Sequence, residues 1–144
     1  MTHAVLAALI ALALVWSAPS QAADPKTNFL DHSNDALMDD ATAFAIMKEA
    51  IPAKVWKLYP ASKYVFLSQV EGGVNAAGTC VVAARVMVLP LTATVRAPLF
   101  RPLPKLTATA YDAIAGANMD KCKAMAKDKL KTATDAVVSN IVKT

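Results

Sequence analysis

The segment Thr79–Pro90, with the sequence TCVVAARVMVLP, is the most β-prone run of the chain and contains one of its two cysteines. Successive side chains of a strand point to opposite faces. One face then carries Cys80, Val82, Ala84, Val86 and Val88, and the other carries Val81, Ala83, Arg85, Met87 and Leu89. A strand that is largely apolar on both faces usually lies inside a sheet that is covered on both sides. The segment therefore predicts a central strand, and the cover of its second face is the main functional question.

Alternating residues predict further strands on either side of this segment. One strand covers residues 63–71 and another covers residues 105–114. Glycines at positions 72, 73 and 78 separate the first of these from the central strand, which indicates an antiparallel hairpin. Residues 91–96 either extend the central strand past Pro90 or begin a fourth strand.

Helical spacing of apolar residues predicts two main helices. One covers residues 35–51, and the other covers residues 119–142 and carries Cys122 within its apolar stripe. Together the elements predict an α+β fold. It consists of an N-terminal helix, a three- or four-stranded antiparallel sheet, and a long C-terminal helix packed on that sheet.

The first 22 residues have the features of a secretory signal peptide. An apolar block at residues 4–16 is followed by small residues, with Ser20 and Ala22 at the −3 and −1 positions of a cleavage site. The block is too short to span a bilayer core, which needs about 20 residues. We expect cleavage after Ala22, a single domain over residues 23–144, a periplasmic or extracellular location, and no stable membrane span.

The two cysteines are expected to form a disulfide. Cysteines of a small exported chain usually pair, and no C-x-x-C motif indicates a thiol oxidoreductase. Because Cys80 lies on the central strand and Cys122 on the last helix, the bond would tether that helix to the sheet. Its loop of 42 positions predicts roughly 4 kcal/mol of stabilisation.

Charge is unevenly distributed along a chain of formal net charge +4. Residues 24–52 contain six acids and two lysines, whereas residues 53–105 contain seven basic residues and one acid, Glu71. This segregation favours docking between the acidic and basic parts of the chain or contact with an acidic partner surface. The basic residues are not interleaved with stacking aromatic residues, so no nucleic-acid partner is predicted.

No catalytic, cofactor-binding or metal-binding residue is predicted. His32 is the only histidine after the cleavage site, and it lies in a polar segment typical of helix capping. Asp35 and Asp39 follow at spacings that could place weak metal ligands on one helix face, but acids in a first helical turn have a structural role with the helix dipole. Lys48 is predicted to interact with the C-terminal end of its helix.

Two groups of residues are candidates for partner binding. The first is Arg96, Leu99, Phe100 and Arg101, around the proline-rich run APLFRPLP at residues 97–104. Proline lowers the ordering cost of binding, and an aromatic residue beside arginines is typical of interface hot spots. The second is Val65, Leu67 and Met87, on the second face of the sheet.

Three functions remain open at this point. The first is a non-enzymatic exported binding protein that acts through a protein surface, by self-association or by contact with an envelope protein. The second is an inhibitor or immunity-type protein that uses the loop at residues 97–104. The third is a small-ligand carrier or small hydrolase with a pocket lined by Trp56, Tyr59 and Tyr64.

Overall fold

A computed structural model describes residues 26–92 and 103–143. In chain order the elements are β1 (Phe29–Asp31), α1 (Asp40–Ala50), α2 (Ala53–Leu58), β2 (Tyr64–Val74), β3 (Thr79–Pro90), β4 (Leu106–Ala115) and α3 (Met119–Val142). The four strands form one sheet in the order β1-β2-β3-β4. The α+β class is therefore confirmed.

The central strand of the sheet is β3, as predicted. It pairs with β2 and β4 in antiparallel registers, and Tyr64 of β2 lies opposite Pro90 while Val88 lies opposite Leu106. The short strand β1, however, runs parallel to β2, with Phe29 opposite Phe66. The prediction of a purely antiparallel sheet is thus corrected at this edge, and the sheet is mixed.

Helix α1 begins later than the residues 35–51 predicted from the apolar pattern. The carboxylate of Asp39 accepts hydrogen bonds from the backbone N–H of Thr42 at 2.8 Å and from its hydroxyl at 3.1 Å. Upstream, the side chain of Asn34 accepts from the backbone N–H of Ala36 in a separate turn. Because Asp39 occupies the N-cap position, regular helix starts at Asp40.

Helix α3 spans the predicted residues and is tethered to the sheet by the Cys80–Cys122 disulfide, which is confirmed. The two Cα atoms are 5.6 Å apart, and both cysteines are fully buried. Asn118 caps the helix by accepting from the backbone N–H of Lys121 at 3.0 Å. The disulfide therefore anchors the first turn of α3 to the first residues of β3.

The main core lies between the helices and the Cys80 face of the sheet. It combines residues of all three helices with residues of β2 and β3; its fully buried members include Met47, Val55, Phe66, Val70, Val82, Val86, Val88, Leu130 and Val137. The helices thus cover one face of the sheet. Its second face is built differently and is the first candidate for function.

Candidate functional site

One part of the second sheet face is already buried in a single copy of the chain. Val65, Leu67 and Leu89 are each at most 5% exposed and form a cluster with the half-buried Leu30 and Met87. Two of the predicted partner-binding residues, Val65 and Leu67, are therefore covered within the monomer. Contact between Met87 and a partner stays a prediction.

The remaining part of this face is open. Tyr111 is 80% exposed and Val81 is 48% exposed. Across the β3–β4 ladder Ala83 lies opposite Tyr111 and Arg85 lies opposite Thr109, and all four side chains are exposed. Residues Val81, Ala83, Arg85, Thr109 and Tyr111 are called the open strip below. It combines an aromatic ring, small side chains and a single cation.

Strand β4 forms the outer border of the open strip. Within residues 26–92 and 103–143, no strand pairs with its outer edge. Its ten residues, LTATAYDAIA, include no proline and one charged side chain, Asp112. Natural edge strands usually carry lysine, proline or a bulge that prevents pairing with another chain. Such protection is weak on β4.

The one charge of β4 is directed to the helix side of the sheet. The Asp112 carboxylate lies 3.0 Å from the Nζ atom of Lys129 on α3. The hydrogen bond from Lys129 and a second one from the backbone N–H of Ala113 hold the pKa of Asp112 below its usual value. Asp112 therefore links β4 to α3 and leaves the open strip without a carboxylate on β4.

The second predicted contact group falls outside the described residues. Arg96, Leu99, Phe100 and Arg101 all lie within residues 93–102. Their role in partner binding stays a prediction. Leu103, which follows them directly, is 85% exposed.

A polar cluster that the sequence patterns did not reveal joins β1 to β2. The fully buried Ser68 donates a hydrogen bond from Oγ to the Asp31 carboxylate, and Ser33 donates to the same oxygen at 2.7 Å. The Ser33 hydroxyl in turn accepts from the backbone N–H of Val70 at 2.9 Å. His32 lies between Asp31 and Ser33 in the sequence, but its side chain is exposed. The arrangement therefore fastens β1 to β2, and it lacks the imidazole that would activate a serine.

We expect Ser68→Ala to lower the free energy of unfolding by about 1–3 kcal/mol, because the half-buried Asp31 carboxylate loses a charge-assisted donor. Urea denaturation followed by circular dichroism would measure the change. Ser139→Ala, at an exposed position of α3, is the matched control and should change stability by less than about 0.5 kcal/mol. Equal effects of the two substitutions would contradict this role of Ser68.

The aromatic residues of the predicted ligand pocket pack against other rings. Trp56 contacts Phe66 at a centroid distance of 5.0 Å, and Tyr59 contacts Tyr64 at 5.0 Å. One side of Trp56 also lines a shallow depression of about 360 Å³ together with Lys26 and Lys57. The three aromatic residues therefore contribute mainly to the core between α2 and β2.

Other polar residues singled out from the sequence have structural surroundings. Lys48 is exposed on α1. Hydrogen bonds from the backbone and side chain of Thr42 lower the pKa of Asp39, as expected for an N-cap. In the part of the chain that the structure describes, no group of three or more His, Cys, Asp or Glu residues is arranged to hold a metal ion. Over the same residues, no helix combines the length and apolar character needed to cross a membrane.

A groove of about 580 Å³ lies between α1 and α3 on the outer side of the helical layer. It is lined by Ala41, Ala45 and Ile46 of α1 and by charged residues that include Glu49 and Lys131. Nothing in its lining indicates a particular ligand.

Comparison with known proteins adds little to this geometry. No protein-family model and no curated protein matches the chain. Among solved structures, a candidate lipoprotein from Caulobacter crescentus CB15 is similar with a TM-score of 0.34 and 12% identity, over 81% of this chain and 84% of that one. The PelC dodecamer from Paraburkholderia phytofirmans is similar in two crystal forms, both with a TM-score of 0.40 and 12% identity, over 81% and 79% of this chain and 95% and 91% of PelC. Similarities at this level assign neither a family nor a function to the chain.

Proposed function

We propose that this chain is an exported, non-enzymatic binding protein that acts through the open strip and the outer edge of β4, and that its first partner is a second copy of itself. The main observation behind the proposal is that β4 is an edge strand with little protection against pairing with another chain. Ten residues of β4 present backbone hydrogen-bonding groups beside an exposed Tyr111, with no proline and no lysine to prevent pairing.

Pairing between two β4 strands is compatible with their sequence. A symmetric antiparallel pair centred on Ala110 would place Thr109 of one copy opposite Tyr111 of the other, and two sheets would become one continuous sheet. Asp112 would then lie opposite Ala108, so no like charges would meet. An interface of this kind is isologous and closes after two copies.

Two observations support export and a binding role. The disulfide is typical of proteins that fold in an oxidising compartment. Among the described residues, the carboxyl groups of Asp39 and Asp112 have lowered pKa values because one caps helix α1 and the other accepts from Lys129, and both are structural roles.

The oligomeric state of residues 23–144 tests the proposal. Size-exclusion chromatography with light scattering should give twice the mass of one chain. The double variant Thr109→Lys/Tyr111→Lys should give the mass of one chain, because four lysines would face one another across the paired edges.

The control is Ala124→Lys/Ala136→Lys, which adds the same charge at exposed positions of α3 and should leave the dimer intact. Circular dichroism should show that both variants are folded. A wild-type chain that stays monomeric at high concentration, or a dimer that both variants preserve, would refute the role of β4.

A further inference from the structure

One end of the sheet is formed by the start of β2, the end of β3 and the start of β4. Lys63 precedes β2, and its carbonyl accepts from the backbone N–H of Leu91 at 2.8 Å. Lys105 precedes β4, and its backbone N–H donates to Val88 at 2.8 Å. Because Val88 and Phe66 are partners in the ladder, the two lysines lie at the same end of the sheet.

Helix α2 adds more lysines to this end. It is joined to β2 by the turn that contains Pro60, whose carbonyl accepts from the backbone N–H of Lys63 at 2.8 Å. Lys57 of α2 and Lys26 line the same depression beside Trp56, and Lys54 lies one turn earlier. We call the exposed residues Lys26, Lys54, Lys57, Lys63 and Lys105 the basic end.

The basic end has no compensating charge in its own segments. Residues 26–28, 53–63 and 103–106 contain no acidic side chain. None of the five lysines forms an ion pair with a residue that the structure describes. Carboxylates instead occur toward the opposite end of the sheet, where Glu71 lies late in β2 and Asp112 late in β4. Among the described residues, the basic end is therefore a cluster of positive charge without a paired carboxylate.

Two exposed leucines accompany these lysines. Leu58, the last residue of α2, is 63% exposed, and Leu103, just before Lys105, is 85% exposed. Lysines next to exposed large apolar side chains are the composition of surfaces that bind anionic lipid bilayers, where the cations meet phosphate groups and the apolar side chains enter the interface. An acidic protein surface is the alternative occupant, and absence of binding to anionic vesicles in the experiment below would favour it.

We propose that the basic end, with Leu58 and Leu103, is a docking surface for the anionic headgroups of a lipid bilayer. Binding is peripheral: the lysines supply attraction that weakens with salt, and the leucines supply apolar insertion. The lysines substituted in the test lie on α2 and not on β4, so its failure and the failure of self-association are distinguishable.

Co-sedimentation of residues 23–144 with lipid vesicles tests the proposal. Binding is expected to vesicles of phosphatidylcholine mixed with phosphatidylglycerol, to weaken at high salt, and to be absent with phosphatidylcholine alone. Lys54→Glu/Lys57→Glu should lower the partition coefficient at least about tenfold. Leu58→Ser/Leu103→Ser should lower it by roughly tenfold as well, since two apolar contacts are lost.

The matched control is Lys121→Glu/Lys123→Glu, which makes the same change in net charge at the start of α3, near the opposite end of the sheet. It should change binding less than about threefold. Absence of wild-type binding to the anionic vesicles would overturn the proposal. Equal losses for the two lysine pairs would also overturn it, because they would indicate a response to net charge alone, and so would wild-type binding by the leucine variant.

Discussion

Replacement of both cysteines, Cys80→Ala and Cys122→Ala, is expected to lower the free energy of unfolding by about 4 kcal/mol. The bond closes a loop with a sequence separation of 42, so its removal restores considerable freedom to the unfolded chain. Both positions are fully buried, and alanine there introduces no polar group. A loss of this size is a large fraction of the stability of a typical domain.

Thermal and urea denaturation would measure the effect of losing the disulfide. The midpoint of thermal unfolding should fall by more than about 10 °C. Wild-type protein that is unfolded and refolded in the presence of a reductant should match the variant, since it lacks the same bond. A variant with the wild-type midpoint would show that the disulfide does not determine stability.

A second large effect is expected from Gly72→Ala, which should destabilise the protein by at least about 3 kcal/mol. Gly72 has a φ of 125°, a region that side chains disfavour, and a Cβ atom there would lie 2.0 Å from the carbonyl oxygen of Val81. This oxygen belongs to the backbone of β3 and cannot move without disturbing the central strand. The substitution therefore combines strain with a steric clash.

The neighbouring glycine provides the matched control for this prediction. Gly73 has a φ of 149°, but a Cβ atom there would have no atom within 4 Å. Gly73→Ala is expected to cost only about 1 kcal/mol, from backbone strain alone. Urea denaturation of both variants would separate the two contributions, and equal losses would contradict the proposed clash at Gly72.

The sequence predicts some elements closely because their signals are local. In β3 the alternation of side chains continues over the whole strand, and α3 has an apolar stripe from Met119 to Ile141. Two cysteines in a small chain with a secretory signal were enough to predict the disulfide, and the position of Cys122 in the apolar stripe predicted that the bond joins α3 to the sheet. Long periodic segments of this kind leave few competing interpretations.

Other features depend on contacts between distant residues and have no local signal. The three residues of β1 are too few for an alternating pattern, and their partners in β2 lie 37 positions later. The hydrogen bond from Ser68 to Asp31 is equally non-local. At the start of α1, Asn34, Asp35 and Asp39 are all suitable caps, and the pattern of residue types does not select among them.

At the candidate site, too, the exposure of the open strip depends on contacts between distant residues that the sequence pattern does not show. Alternation places Val65, Leu67 and Val81 on one face, but it does not indicate that the first two are covered by the chain itself while Val81 remains 48% exposed. The exposed edge of β4 also becomes visible only once the strand order is known.

Burial of both sulfur atoms has a consequence for biogenesis. An oxidant can reach these thiols only before the chain closes around them, and a thiol reagent can attack the finished bond only when the chain opens again. The disulfide therefore forms before folding is complete. Afterwards it is protected from external reductants and thiols as long as the protein remains folded.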